Sequence, residues 1–188
     1  MRSSASVEDS NGQSFAGQFD SFLNVTKDQV LKTVEKCWQS LHNARSTNYA
    51  KNKNDNRKMA VIVQSMITPE VAGVAFSINP VTGDKNTIVI EAVLGNNESL
   101  VQGSATPDYY VVNKKMKILD KKIVSQNEGS RQKLLDQQLL NIAQLVSSIS
   151  SLFDTEVDVE WAIEDKKIYI LQSRPITAIQ HNNAKRIL

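Results

Sequence analysis

Val157-Asp158-Val159-Glu160-Trp161-Ala162-Ile163-Glu164 and Ile168-Tyr169-Ile170-Leu171-Gln172-Ser173-Arg174, joined by Asp165-Lys166-Lys167, are the stretch from which the rest can be read. In the first half apolar Val157, Val159, Trp161 and Ile163 alternate with acidic Asp158, Glu160 and Glu164. Period two marks a half-buried strand. The second half is rich in β-branched and aromatic residues, which suit a pleated surface. The polar connection makes the pair a β-hairpin. With a three-residue loop, Glu164 faces Ile168, Ala162 faces Ile170, Glu160 faces Gln172 and Asp158 faces Arg174. Directly opposed residues share a face. Two carboxylates, an amide and a guanidinium then gather on one side, with Trp161, Ile163, Tyr169 and Leu171 on the other. A two-residue loop would set Glu160 against Leu171 and mix the faces, so the segregated pattern favours three.

On such a ladder Glu160 and Gln172 lie within roughly 5 Å at Cβ. Both present hard oxygen atoms, which suit Mg²⁺, an ion that takes one or two protein ligands beside water and substrate phosphates. The planar donor fork of Arg174 suits phosphate oxygens. The competing reading is a solvated face with an Asp158–Arg174 surface ion pair.

Working outward, residues 1–13 read as loop, with Asn11-Gly12 a turn signal, and 15–25 as a strand. Thr26-Lys27-Asp28-Gln29 has the form of a capping box. It opens a helix of roughly 20 residues with Val30, Val34, Trp38 and Leu41 on one stripe. Residues 52–58 are loop. Met59 to Ile67 is an apolar strand that must stop at Thr68-Pro69, because proline lacks the N–H a ladder needs. Further strands are expected at 71–79, 87–93, 108–113 and 116–124, with turns at Asn79-Pro80-Val81-Thr82-Gly83 and Asn113-Lys114-Lys115. Leu135, Leu139, Ile142, Leu145, Val146, Ile149 and Phe153 mark a second amphipathic helix with Ser130 as N-cap. Strands linked by short turns plus two main helices give an α+β fold with a largely antiparallel sheet. From residue 178 the chain is a polar tail.

At 188 residues the chain can bury one good core, with room for a satellite lobe. A net charge of +2 gives no reason to expect nucleic acid or a membrane surface. No apolar run approaches the ~20 residues of a membrane span, and no signal peptide is evident. The single cysteine, Cys37, falls on the apolar side of the first helix and is expected in the core. It fits a reducing, cytoplasmic setting. His42 and His181 lack partner motifs.

Several collinear motifs carry a family resemblance. They are Arg2-Ser3-Ser4-Ala5 with Glu8-Asp9; Ser14-Phe15-Ala16-Gly17-Gln18 with Phe22-Leu23-Asn24-Val25; Val63-Gln64-Ser65-Met66-Ile67; Gly73-Val74-Ala75-Phe76-Ser77 with Asn79-Pro80-Val81-Thr82-Gly83; Glu91-Ala92; Thr106-Pro107-Asp108; Asp158-Val159-Glu160-Trp161; and Gln172-Ser173-Arg174-Pro175-Ile176-Thr177. With these the chain resembles the ATP-grasp nucleotide-binding domain of phosphoenolpyruvate synthase (pyruvate, water dikinase) and its relatives, rifampicin phosphotransferase among them. The resemblance implies a partial ATP-grasp domain over residues 1–177 that binds ATP and Mg²⁺. It implies that Arg2 and Arg174 contact phosphates, that Glu160 and Gln172 bind the metal, and that Asp158 belongs to the site. The backbone of Gln64, Ser65, Met66 and Ile67 would read the adenine edge. Leu94-Gly95-Asn96-Asn97-Glu98 departs from the family's tryptophan-glycine-leucine-glycine-glutamate pattern, keeping Gly95 and Glu98.

The resemblance also implies what the Arg2-to-Thr177 span omits. It leaves out an N-terminal lobe with a phosphate-contacting lysine, a phosphohistidine domain and a domain for the acceptor. The isolated chain is therefore expected to bind weakly and not to turn over without those lobes, in trans or in a longer protein. The parent reaction would be ATP-dependent formation of phosphoenolpyruvate from pyruvate, with AMP and phosphate released. A rifampicin-like antibiotic or a glucan is the alternative acceptor. A non-catalytic nucleotide-binding or interaction module, or a truncated remnant, is the alternative role.

Overall fold

The computed structural model describes residues 1–5, 21–40, 58–96, 105–124 and 132–176. Expectations for Asn11-Gly12, residues 15–20, Leu41, His42, Glu98, Ser130, His181 and the tail from 178 fall outside them. The chain divides into two compact units, Met1–Met66 and Ile67–Leu188.

In the N-terminal unit β1 (Arg2–Ala5) pairs antiparallel with β2 (Met59–Ile62), Arg2 opposite Ile62. The expected strand to Ile67 ends five residues early, because the last ladder pair is Arg2–Ile62 and an unpaired segment has no sheet to join. Residues 21–25 form no strand beyond a single bridge from Ser21 to Arg2. Thr26 begins a helix as expected. The Gln29 side chain accepts from the Thr26 N–H at 3.5 Å, and a 3₁₀ turn (Lys27–Gln29) leads into α1 (Val30–Ser40). Cys37 is buried, but the buried side is Thr33, Cys37 and Ser40, and Trp38 is half exposed. Hydroxyls can sit there because their bonds are made within the helix, Thr33 to the Gln29 carbonyl and Ser40 to the Cys37 carbonyl.

The C-terminal unit is one antiparallel sheet, in spatial order β6-β5-β4-β3-β7-β8. Its strands are β3 (Val71–Phe76), β4 (Thr87–Leu94), β5 (Asp108–Asn113), β6 (Ile118–Lys122), β7 (Val157–Glu164) and β8 (Lys167–Pro175). Helix α2 (Asp136–Phe153) packs on β3, β4, β5 and β7. Leu139, Ile142, Ala143 and Val146 meet Ile88, Ile90, Tyr110, Val112, Val159, Trp161 and Ile163 in one core. Leu135 and Phe153, expected on that stripe, are mostly exposed. Leu135 is the N-cap, and the Gln138 side chain accepts from its N–H at 2.8 Å. Gly73 lies between Trp161 and Ala92 on neighbouring strands. A Cβ there would stand 1.8 Å from the Glu91 carbonyl oxygen and 2.6 Å from Trp161 Cζ2, so only glycine lets the indole cross the sheet.

A buried polar cluster ties the start of β5 to the approach to α2. Asp108 is fully buried. It accepts from Tyr110 Oη at 2.9 Å, the Val124 N–H at 2.9 Å and the Lys133 N–H at 3.0 Å, and pairs with the Lys133 ammonium. Burial alone would raise its pKa, but these donors outweigh it and hold the carboxyl below its ordinary value. The Tyr110 hydroxyl is pushed up by burial and by its bond to Asp108. No helix among the described residues is long and apolar enough to cross a membrane.

Candidate nucleotide and metal site

The hairpin differs from expectation at its tip and agrees where the candidate ligands stand. The turn has two residues, Asp165 and Lys166, both with positive φ (48° and 64°), as a type I′ turn requires. Glu164 therefore faces Lys167, and Ala162 faces Tyr169, instead of Ile168 and Ile170. The ladder then slips between Trp161–Ile170 and Glu160–Gln172, leaving Leu171 as an extra residue. That bulge restores the other register, so Glu160 faces Gln172 and Asp158 faces Arg174. Tyr169 consequently lies on the Glu160 side, and Ile168 and Ile170 replace Tyr169 and Leu171 beside Ile163 and Trp161. The opposite edge strand is also bulged, at Leu119 between Val112–Ile118 and Val111–Asp120. Bulges on both outer strands twist edges that would otherwise pair with another chain.

Paired residues continue across the sheet on one face. One row runs Gln172–Glu160–Val74–Glu91–Tyr109–Lys122 from β8 to β6. The next runs Arg174–Asp158–Phe76–Val89–Val111–Asp120. This is the face away from α2, whose core residues come from the alternate positions. Asp158, Glu160, Gln172 and Arg174 are all partly buried there. The arrangement puts hard oxygen donors and a guanidinium on adjacent rungs above an apolar floor of Val74 and Phe76. Among the described residues no group of three or more His, Cys, Asp or Glu could enclose a metal. A cation at Glu160 and Gln172 would therefore take its remaining ligands from water and a ligand's oxygens, the usual habit of Mg²⁺.

Val63 to Ile67 lies outside both ladders, and Val63 and Met66 are 60% and 50% exposed. The unit boundary falls between Met66 and Ile67. Beyond it the chain is fixed to the end of β7: the Thr68 N–H donates to the Glu164 carboxylate and the Glu70 N–H to the Ile163 carbonyl, 2.8 Å. Arg2 sits in the N-terminal unit, opposite the last paired residue before this segment. The Asn79–Gly83 turn is held by its own bonds: Asn79 Oδ1 accepts from the Val81 and Thr82 N–H groups, both 3.0 Å. Sequence reasoning named Glu91 only as part of a motif. The pairing Glu91–Val74–Glu160 sets it on the same face as Glu160, and the nearly continuous apolar run of β4 gave no alternation from which to read that face.

Residues 1–188 match the family described as pyruvate phosphate dikinase, AMP/ATP-binding domain. The chain is 39% identical to a probable phosphoenolpyruvate synthase of Archaeoglobus fulgidus, over 96% of this chain and 27% of that protein. It is 36% identical to the uncharacterized phosphotransferase YvkC of Bacillus subtilis (97% and 24%). It is 35% identical to the rifampicin phosphotransferase of Bacillus cereus (95% and 23%). The chain thus spans about a quarter of the length of these relatives. A helix-backed antiparallel sheet bearing Glu160, Gln172 and Arg174 on its other face, matched along its whole length, belongs to the pyruvate phosphate dikinase AMP/ATP-binding domain family.

Proposed function

We propose that this chain is the ATP-binding part of a phosphotransferase of the phosphoenolpyruvate synthase type, with an ATP-grasp nucleotide site on the face of the β3–β8 sheet opposite α2. The observation that carries it is the pair of adjacent rungs Glu160–Gln172 and Asp158–Arg174. Glu160 and Gln172 would hold Mg²⁺, which would supply neutralisation of phosphate charge. Arg174 contacts the phosphates through its planar fork, and Asp158 opposite fixes its orientation. Arg2 supplies a second phosphate contact. These cations stabilise the charge that spreads over the phosphoryl oxygens as they are transferred. The backbone of Gln64 to Ile67, lying outside the ladders, reads the adenine edge. Arg2 pairs with Ile62, the last paired residue before Gln64, which supports this reading.

When the chain is joined to the further domains expected from the resemblance, the phosphoryl group would pass to a histidine on another domain and from there to the acceptor, pyruvate on the phosphoenolpyruvate synthase reading. Calorimetric titration of ATP into the chain, with and without Mg²⁺, tests the site. Binding that requires Mg²⁺, with that Mg²⁺-dependent binding abolished in Glu160→Gln, is the expected result. An unchanged Mg²⁺ dependence in Glu160→Gln contradicts it.

A further inference from the structure

Glu91 is the one acidic side chain on the Glu160 row that the proposed site does not use. It faces Val74 on one side and Tyr109 on the other, two strands from Glu160. Two strand spacings put the pair about 10 Å apart. Side chains stand roughly perpendicular to a sheet, so Glu91 does not share a cation held by Glu160 and Gln172. Its carboxylate is half-buried, and among the described residues no hydrogen-bond donor or cation reaches it. Its paired neighbours do not supply one. The Lys122 ammonium lies over the Tyr109 ring, 5.5 Å from its centre, and no hydrogen bond from Tyr109 to Glu91 is made among the described residues. Partly buried polar groups are normally satisfied, and an orphan acceptor calls for a donor from outside the chain.

Resting on the nucleotide reading above, we propose that Glu91 is a specificity residue that accepts hydrogen bonds from the vicinal ribose hydroxyls of the bound nucleotide. The chemistry separates the parts of the ligand. Phosphates are anionic and only accept, so a carboxylate repels them. The two ribose hydroxyls are a donor pair, and one carboxylate can take both. The spacing also fits, since the nucleoside must lie off to one side of the phosphate-holding rungs.

The test is the affinity of the full chain for ATP against 2′,3′-dideoxy-ATP, both with Mg²⁺. Hydrogen bonds to a charged acceptor predict a preference for ATP of about tenfold or more. Glu91→Ala should lose that preference while keeping its Mg²⁺ dependence. Glu91→Gln, which keeps the shape and loses the charge, should reduce it. A preference unchanged in both variants overturns the assignment. Mg²⁺-dependent binding with no ribose preference in the unmodified chain overturns this inference alone. Absence of any nucleotide binding overturns the site as well.

Discussion

Glu160 faces Gln172 across a hairpin whose turn, by itself, would have set Glu160 against Leu171. The bulge at Leu171 makes the difference, and it moves every residue from Gln172 to Pro175 by one position relative to β7. The strained part is the turn: neither Asp165 nor Lys166 is glycine, yet both have positive φ. Non-glycine residues there cost roughly 1–2 kcal/mol each. Replacing Asp165-Lys166 by Asn-Gly should raise stability by about 1 kcal/mol, after the extra unfolded-state freedom of glycine is subtracted. Urea denaturation reads it, and a lower midpoint would contradict the turn assignment.

Gly73 is fixed by its neighbours. Gly73→Ala drives a methyl into the Glu91 carbonyl and the Trp161 ring, and backbone cannot yield as a flexible side chain can. Overpacking of well-filled cores costs about 1–3 kcal/mol, and the backbone clash puts this variant at the upper end or beyond. A red-shifted Trp fluorescence and a loss of at least about 3 kcal/mol are expected. A near-wild-type melting curve would show that Trp161 does not cross there.

The Asp108 cluster is a stability element with a defined pH signature. Its folded pKa is depressed, so its contribution is full above the ordinary carboxylate pKa. It is lost as pH falls through the folded value. Asp108→Ala strands the Lys133 ammonium, which is 9% exposed, and should cost about 3–5 kcal/mol at pH 7. The deficit should shrink at strongly acidic pH. Denaturation of both proteins across pH 2–7 checks it, and a pH-independent deficit would mean that the ion pair is not its source.

Glu91 has the opposite sign. Burial raises its pKa, so the native state holds its proton more tightly than the unfolded chain. Stability then falls as pH rises from the ordinary glutamate value through the raised one. Glu91→Gln should therefore stabilise the unliganded chain at neutral pH, with the gain fading below about pH 4. Thermal melts at pH 4 and pH 7 measure it, and an equal effect at both would contradict the desolvation account.

The alternation of residues 157–164 made β7 legible, and the segregation of Glu160, Gln172, Asp158 and Arg174 onto one face followed from it. The tip was not legible. Ile168-Tyr169-Ile170-Leu171 is four apolar residues in a row, so no alternation betrays the bulge, and Asp-Lys does not announce a type I′ turn as Asn-Gly does. A three-residue loop and a two-residue turn plus bulge give the same pairs beyond Leu171, which is why Glu160–Gln172 and Asp158–Arg174 pair as expected although the tip does not. The helix stripes were misjudged where a large apolar residue was assumed to be inside. Trp38, Leu135 and Phe153 are exposed, and small Cys37 and Ala143 take the core positions. Asp108 was read only as part of a motif, because its role depends on Lys133, 25 residues away.

The most direct measurement of the central claim is paramagnetic relaxation of the Gln172 side-chain amide when Mn²⁺ replaces Mg²⁺ with ATP. Strong broadening of that amide resonance, abolished in Glu160→Gln, is the result expected if the two residues hold one nucleotide-bound cation. A sharp, unshifted Gln172 amide in a sample that binds Mn²⁺ and ATP would place the cation elsewhere and contradict the account.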